Sequence, residues 1–177
     1  NDIYATGIRK GGFGAIYHSI GDGTWPAQQA AGTRMEGVWG RSKSDVYAVG
    51  WAHQVFHTTG DGTWTDLTAQ FSSGSFSTAW GNATDLFIAG PPIYRSHAGG
   101  AWTVDASSGT MTWDLRGIWG SASDNVWAVG TGGLLLHRDA SGWTTVNSNT
   151  KSDLYAVWGT DATHVWIGGA NVFAQLH

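Results

Sequence analysis

A Trp-Gly pair preceded by an apolar residue recurs at Trp39-Gly40, Trp80-Gly81, Trp119-Gly120 and Trp158-Gly159, at spacings of 41, 39 and 39 residues. A period near 40 restricts the chain to folds built by stacking one supersecondary unit on the next, because no single unit of that size buries its own apolar face. A second motif follows each pair and also opens the chain: Asp2-Ile-Tyr-Ala-Thr-Gly7, Asp45-Val-Tyr-Ala-Val-Gly50, Asp85-Leu-Phe-Ile-Ala-Gly90, Asn125-Val-Trp-Ala-Val-Gly130 and His164-Val-Trp-Ile-Gly-Gly169. A third, an apolar pair before a polar residue, stands at Ile16-Tyr17-His18, Val55-Phe56-His57, Ile93-Tyr94-Arg95 and Leu135-Leu136-His137, with Val172-Phe173 as its last copy. A fourth ends in Trp25, Trp64, Trp102 and Trp143.

Each unit therefore holds four short segments rich in β-branched and aromatic residues, separated by Gly, Ser, Asn and Asp turns, which reads as four antiparallel strands. Four such strands per repeat of about 40 residues make the blade of a β-propeller. The predicted fold is all-β: one propeller domain over residues 1–177, with blade units at about 1–33, 34–74, 75–113, 114–151 and 152–177. No stretch carries sustained helical periodicity, and Pro26, Pro91 and Pro92 fall between strand candidates. The repeated Trp39, Trp80, Trp119 and Trp158 are expected to fill the wedge between adjacent blades.

Lettering the strands A to D from the centre outwards, the chain reads BCD, then ABCD three times, then ABC. The terminal blades are thus incomplete. Three closures follow: a five-bladed ring with two three-stranded blades, a longer propeller of which this is a part, or completion by another copy or a missing segment at the open edges.

The turn before the fourth strand, Asp22-Gly23-Thr24-Trp25 and again Asp61-Gly62-Thr63-Trp64, resembles the Asp-box (BNR) turn of sialidase-type propeller blades, one residue short of its usual spacing. With the Trp-Gly and Asp-Val-Tyr-Ala-Val-Gly elements, the whole chain is similar to the lectin-type and repeat propellers of bacterial surface and secreted proteins. The resemblance implies an extracellular or cell-surface location. The chain opens on Asn1-Asp2 without Met, as expected of a processed or excised segment.

Composition removes several function classes. Nine Lys and Arg scattered along a chain of net charge −4 cannot neutralise a run of phosphates, so nucleic acid is not expected as a partner. No apolar stretch reaches the roughly 18 residues of a membrane span. The absence of cysteine excludes disulfide scaffolds, thiolate metal sites and thiol catalysis. The sialidase resemblance would imply an arginine triad and a Glu-activated Tyr, but Glu36 is the single glutamate and the six arginines read as solvated charge. Most aspartates sit at repeated turn positions, where a side-chain oxygen caps backbone N–H groups, so no carboxylate pair for glycoside cleavage is evident. His18, His57 and His137 occupy equivalent positions on different blades and cannot share one ion; no cofactor is expected.

Departures from the repeat carry the functional reading. They gather in the B-to-C connections (Arg9, Phe13, Trp51, His53, Pro91-Pro92) and the D-to-A connections (Phe71, Phe76, Met111, Trp113), which open on one face of a propeller together with Glu36 and Arg116. Arg9, Phe13, Glu36, Trp51, His53, Trp113 and Arg116 are the candidate ligand-binding residues, with Phe76 a further candidate exposed aromatic. Aromatic faces that stack on a sugar ring, beside charged groups that take its hydroxyls, suit a small polar ligand. The leading expectation is a non-catalytic module that binds carbohydrate or a glycoconjugate through this face. The competing one is a structural or protein-interaction propeller of a larger protein, with a sialidase-like glycosidase third. The repeated His18, His57 and His137 offer a further arrangement, one weak site per blade acting by avidity.

Overall fold

The computed structural model describes residues 2–106 and 114–176. Its 18 strands form five antiparallel sheets, each drawn from one consecutive stretch of chain. The first sheet is β1 (Ile3–Ile8), β2 (Gly14–Ser19) and β3 (Ala27–Ala31); the second is β4 (Met35–Ser42), β5 (Asp45–Gly50), β6 (Val55–Thr58) and β7 (Thr65–Asp66). The third is β8 (Thr78–Gly81), β9 (Asp85–Ala89), β10 (Ile93–His97) and β11 (Thr103–Ala106). The fourth is β12 (Leu115–Ala122), β13 (Asn125–Gly130), β14 (Leu135–Asp139) and β15 (Gly142–Thr145), and the fifth β16 (Leu154–Asp161), β17 (His164–Gly169) and β18 (Val172–Leu176). Strand counts of three, four, four, four and three reproduce the BCD, ABCD, ABC reading, with the second, third and fourth sheets complete. The fourth strands begin within two residues of Trp25, Trp64, Trp102 and Trp143 rather than ending there. The helical residues described are two single 3-10 turns, Thr68–Gln70 and Thr131–Gly133.

The chain divides into two compact units, Asn1–Ser77 with the first two sheets and Thr78–His177 with the other three. Within each unit the strands alternate so that one set of side chains meets the neighbouring sheet. In the first unit Ile16 and Ala31 pack on Met35, Ala48 and Phe56, with Trp64 against them. In the second, Phe87, Ala89 and Ile93 meet Leu115, Ile118, Val126 and Ala128, and Val129 and Leu135 meet Leu154, Val157, Val165 and Ile167.

The repeated Trp-Gly pair has a specific use in the second unit. A Cβ at Gly120 would lie 2.7 Å from the tip of the Trp80 ring, and one at Gly159 would lie 2.6 Å from that of Trp119. The tip of each indole thus lies against the glycine of the next sheet, a contact that any side chain there would block. Trp158 differs from the expected wedge role: it is 59% exposed and stacks on Trp166 at 5.9 Å. With Ala156, Ile167, Gly168 and Phe173 these two rings line an apolar cavity of about 370 Å³ on the open face of the fifth sheet.

The turn aspartates divide into two groups. Asp22 and Asp61 cap their turns as predicted, each accepting from the N–H (2.9 Å in both) and hydroxyl (2.8 and 2.6 Å) of Thr24 and Thr63. Those hydrogen bonds hold both carboxyls below the usual range. In the first, second and fourth sheets the residue at the head of the B strand instead reaches sideways to the C strand: Asp2 to His18 at 3.1 Å, Asp45 to His57 at 2.9 Å, Asn125 to His137 at 2.9 Å. Each imidazole also stacks on the aromatic residue opposite it, Tyr4, Tyr47 or Trp127, at 4.4, 4.3 and 4.0 Å.

Candidate functional site

The most constrained of the sequence-predicted loops lies in the first unit between β5 and β6. Gly50 ends β5 where a Cβ would meet the Arg34 carbonyl oxygen at 2.3 Å, so the chain passes close over the start of β4 and the Trp51 N–H donates to that same carbonyl at 3.0 Å. Ala52 and His53 then take left-handed φ values of 52° and 50°, uncommon for residues with a side chain. The turn is held from both sides. His53 N–H donates to the Gly74 carbonyl at 2.7 Å and Phe76 N–H to Gly50 at 3.0 Å, while the Thr33 hydroxyl lies 2.8 Å from the Trp51 carbonyl and 2.9 Å from the Gln54 side-chain oxygen.

This backbone presents Trp51 51% exposed, with the Arg34 guanidinium over its ring at 5.6 Å. Arg34 Nε also donates to Glu36 Oε1 at 2.5 Å. Trp51, Arg34 and Glu36 therefore form one surface of an aromatic plane, a cation and a carboxylate. Arg34 was read from the sequence as solvated charge. Its signal was its place two residues before Glu36 at the entry to a strand, where side chains of alternate residues share a face.

Arg9 and Phe13, both exposed, close the β1–β2 turn through an Arg9 N–H to Phe13 carbonyl bond of 2.7 Å. That turn lies at the same end of the unit, since a Cβ at Gly14 would meet the Thr33 carbonyl oxygen at 2.1 Å and Thr33 is bonded to the Trp51 turn. His53 is half-buried beside Trp51. Arg116 belongs to the second unit, exposed on β12 with Asp114 at 3.3 Å. Trp113 and Met111 lie outside the described residues.

Two expectations are corrected. Phe76 is not an exposed aromatic: it is buried together with Phe71, the two rings edge to face at 5.4 Å. Arg95 and Arg138 are not solvated charges. In the second unit Asp85, 1% exposed, accepts from Arg95 Nε at 2.6 Å, from His97 Nδ1 at 2.9 Å and from the Ser123 hydroxyl, and Arg138 Nε donates to Asp105 at 2.7 Å. Trp143 Nε1 donates to the same Asp105 carboxylate at 2.7 Å, and both guanidiniums stand 5.6 Å from the Phe87 ring. Burial raises the Asp85 carboxyl, but hydrogen bonds from Arg95, Ser123 and His97 and the charge of Arg95 more than reverse this and hold it well below the usual range.

The repeated histidines are engaged inside their sheets by the bonds and stacks above, and His18 Nδ1 further meets Gln28, which accepts from Trp64 Nε1 at 3.2 Å. Burial pushes the His137 pKa down, against the charge of Asp139. Among the described residues no group of three or more His, Asp or Glu is placed to hold a metal ion, and no helix is long and apolar enough to cross a membrane.

Antiparallel sheets of three and four strands, each from one consecutive stretch of chain and, in the second unit, packed on one another through Trp-on-Gly contacts, fit the β-propeller class. No family model and no curated protein matches the sequence. Solved structures do match: virginiamycin B lyase from Staphylococcus aureus (TM-score 0.77, 17% identity, 97% of this chain and 65% of that one) and YCF48 bound to D1 peptide (0.63, 18%, 96% and 59%). The Swd1 (Cps50) β-propeller domain of Myceliophteria thermophila is similar at 0.60 and 14%, covering 96% of this chain and 66% of that one. The chain is thus a β-propeller repeat protein and spans about three fifths of the length of the YCF48 chain it matches. At these identities the likeness is one of fold.

Proposed function

We propose that the chain is a non-catalytic protein-interaction propeller that takes a peptide segment of its partner at the Trp51, Arg34 and Glu36 surface, flanked by Arg9, Phe13 and His53. The observation that carries this reading is the Arg34 guanidinium over the exposed Trp51 ring, 5.6 Å from its centroid and ion-paired with Glu36. A sugar-binding tryptophan offers a bare face to the apolar side of a pyranose, and here a cation stands over one face of the ring. An exposed tryptophan and arginine on a pinned loop are instead the residue types that dominate protein interfaces, and the guanidinium and carboxylate match main-chain and charged groups of a peptide. The peptide-bound state of YCF48, on a similar fold, supports the same class of partner.

The test is a random-peptide display selection on the wild-type protein, with a glycan array run in parallel and Trp51→Ala and Glu36→Gln as controls. Trp51 is half-exposed, so its truncation is expected to leave the thermal midpoint within a few degrees. Selected peptides should lose at least about tenfold in affinity on Trp51→Ala. Peptides that bind both proteins equally would overturn the proposal, and glycan binding lost in the variant would replace it with a lectin.

A further inference from the structure

The first unit holds a place shaped for a strand it does not contain. In the second to fifth sheets an A strand pairs antiparallel with the B strand in one register: Trp39 opposite Tyr47, Trp80 opposite Phe87, Trp119 opposite Trp127 and Trp158 opposite Trp166, with the following glycine opposite Val46, Leu86, Val126 or Val165. The first sheet begins at the B position. There β1 pairs with β2, Tyr4 standing opposite His18 as Tyr47 stands opposite His57, and its other edge carries no strand among the described residues.

What that edge lacks is visible on the sheet beside it. Gly120 and Gly159 are buried, covered by the indoles of Trp80 and Trp119. Gly40, the same position on β4, is exposed, and the nearest atoms to a Cβ built on it belong to Val46, Asp45 and Ser42, with no aromatic ring. Val38 is half-buried where its counterparts Ile118 and Val157 are buried. Between them lies a cavity of about 460 Å³, lined by Asp2 and Tyr4 of the first sheet and by Val38, Gly40, Lys43 and Val46 of the second.

We infer that this edge is a strand-acceptor site: an extended segment with an apolar-Trp-Gly core adds antiparallel to β1, sets its tryptophan opposite Tyr4 and lays the indole on Gly40. The occupant is defined by chemistry that the chain itself supplies four times, in β4, β8, β12 and β16. Main-chain hydrogen bonds along β1 give affinity, and the indole pocket gives specificity, as in β-strand addition generally. The site is distinct from the Trp51 surface and does not depend on the function proposed there.

The probe is the octapeptide Leu-Arg-Gly-Ile-Trp-Gly-Ser-Ala, the sequence of β12, titrated into the whole protein by calorimetry, with hydrogen exchange read at the Ile3–Ile8 amides. Binding with slowed exchange across β1 is expected, and an alanine in place of the peptide's tryptophan should weaken it at least about tenfold. Gly40→Ala should weaken it similarly, because the new methyl occupies the indole's seat; the peptide variant leaves the protein unaltered and keeps the test independent of folding. No binding up to about 1 mM, equal binding of the alanine peptide, or protection that misses β1 would each overturn the inference. Protection of β1 in the protein alone, together with a dimer in sedimentation, would assign the edge to a second copy and equally overturn it.

Discussion

Asp85→Asn keeps the shape of the side chain and removes its charge from a site that is 1% exposed. The carboxylate there accepts from Arg95 at 2.6 Å, His97 at 2.9 Å, Thr84 at 3.2 Å and Ser123. Removing one member of a buried ion pair costs about 3–5 kcal/mol, because the other charge stays desolvated. The lower end applies, since the Arg95 side chain retains 23% exposure and a second carboxylate, Asp105, at 3.7 Å. A loss of about 3 kcal/mol corresponds to a fall of roughly 6–12 °C in thermal midpoint for a chain of this size. The sign of the pH dependence follows from the depressed carboxyl: its contribution is fully present above the unfolded value of about 4, and below that it fades by about 1.4 kcal/mol per pH unit until the folded value is reached. Urea unfolding of both proteins by far-UV circular dichroism should therefore show a gap of about 3 kcal/mol from pH 5 to 8 that shrinks below about 1 kcal/mol by pH 2. A gap under about 1 kcal/mol at neutral pH, or one that persists unchanged from pH 5 to pH 2, would refute the reasoning.

Gly120→Ala should cost about 1–3 kcal/mol, because its Cβ would sit 2.7 Å from Trp80 and 2.9 Å from the Asn125 carbonyl, whereas Gly40→Ala should cost under about 1 kcal/mol; paired thermal melts give the contrast. Phe76→Ala, at a fully buried ring packed on Phe71, should lose about 3–5 kcal/mol in urea titrations, where an exposed loop aromatic would lose almost nothing. His137→Ala removes the 2.9 Å tie to Asn125 and the 4.0 Å stack on Trp127 and should cost about 1–2 kcal/mol, measured the same way.

The strand order was readable because its determinants are local: alternation, turn chemistry and the period of the Trp-Gly pair each act within a few residues. The side-chain network was not, because it depends on which residues face each other across sheets. Aligning the third strands places Arg138 where the first three sheets have Ser19, Thr58 and Ser96, all three buried. A guanidinium in a position that otherwise takes a small hydroxyl needs a carboxylate, and Asp105, 33 residues away on β11, supplies it. Arg95 similarly takes the His position of its sheet and keeps the tie to the residue that opens the B strand, Asp85. For the loops, departure from the repeat marked positions with a second role but not its direction: Trp51 turned outward because hydrogen bonds to Arg34 and Gly74 flank its turn, while Phe71 and Phe76 turned in to fill a gap. Arg34 was hidden because its partner is an aromatic ring 17 residues later, reached only once Gly50 brings the chain back over β4.

The same dipeptide has a different energetic role in each sheet, because a stacked repeat derives its stability from nearest neighbours rather than from the repeat itself. Trp119 and Trp158 occupy equivalent register positions, opposite Trp127 and Trp166. Trp119 lies on Gly159 and packs against the cluster of Val129, Leu154 and Val157, so Trp119→Ala opens a void there and should cost about 3–5 kcal/mol. Trp158 is 59% exposed beside Phe173 at 81%, so Trp158→Ala removes little buried area and should cost under about 1 kcal/mol. Equal losses in urea unfolding would mean that the open face of the fifth sheet is covered in solution. A second copy is then the first occupant to seek, by sedimentation with the wild type and Trp158→Ala side by side. Unequal losses would locate stability in the contact between sheets, and they would explain why the exposed Gly40 marks a position that an indole can still fill.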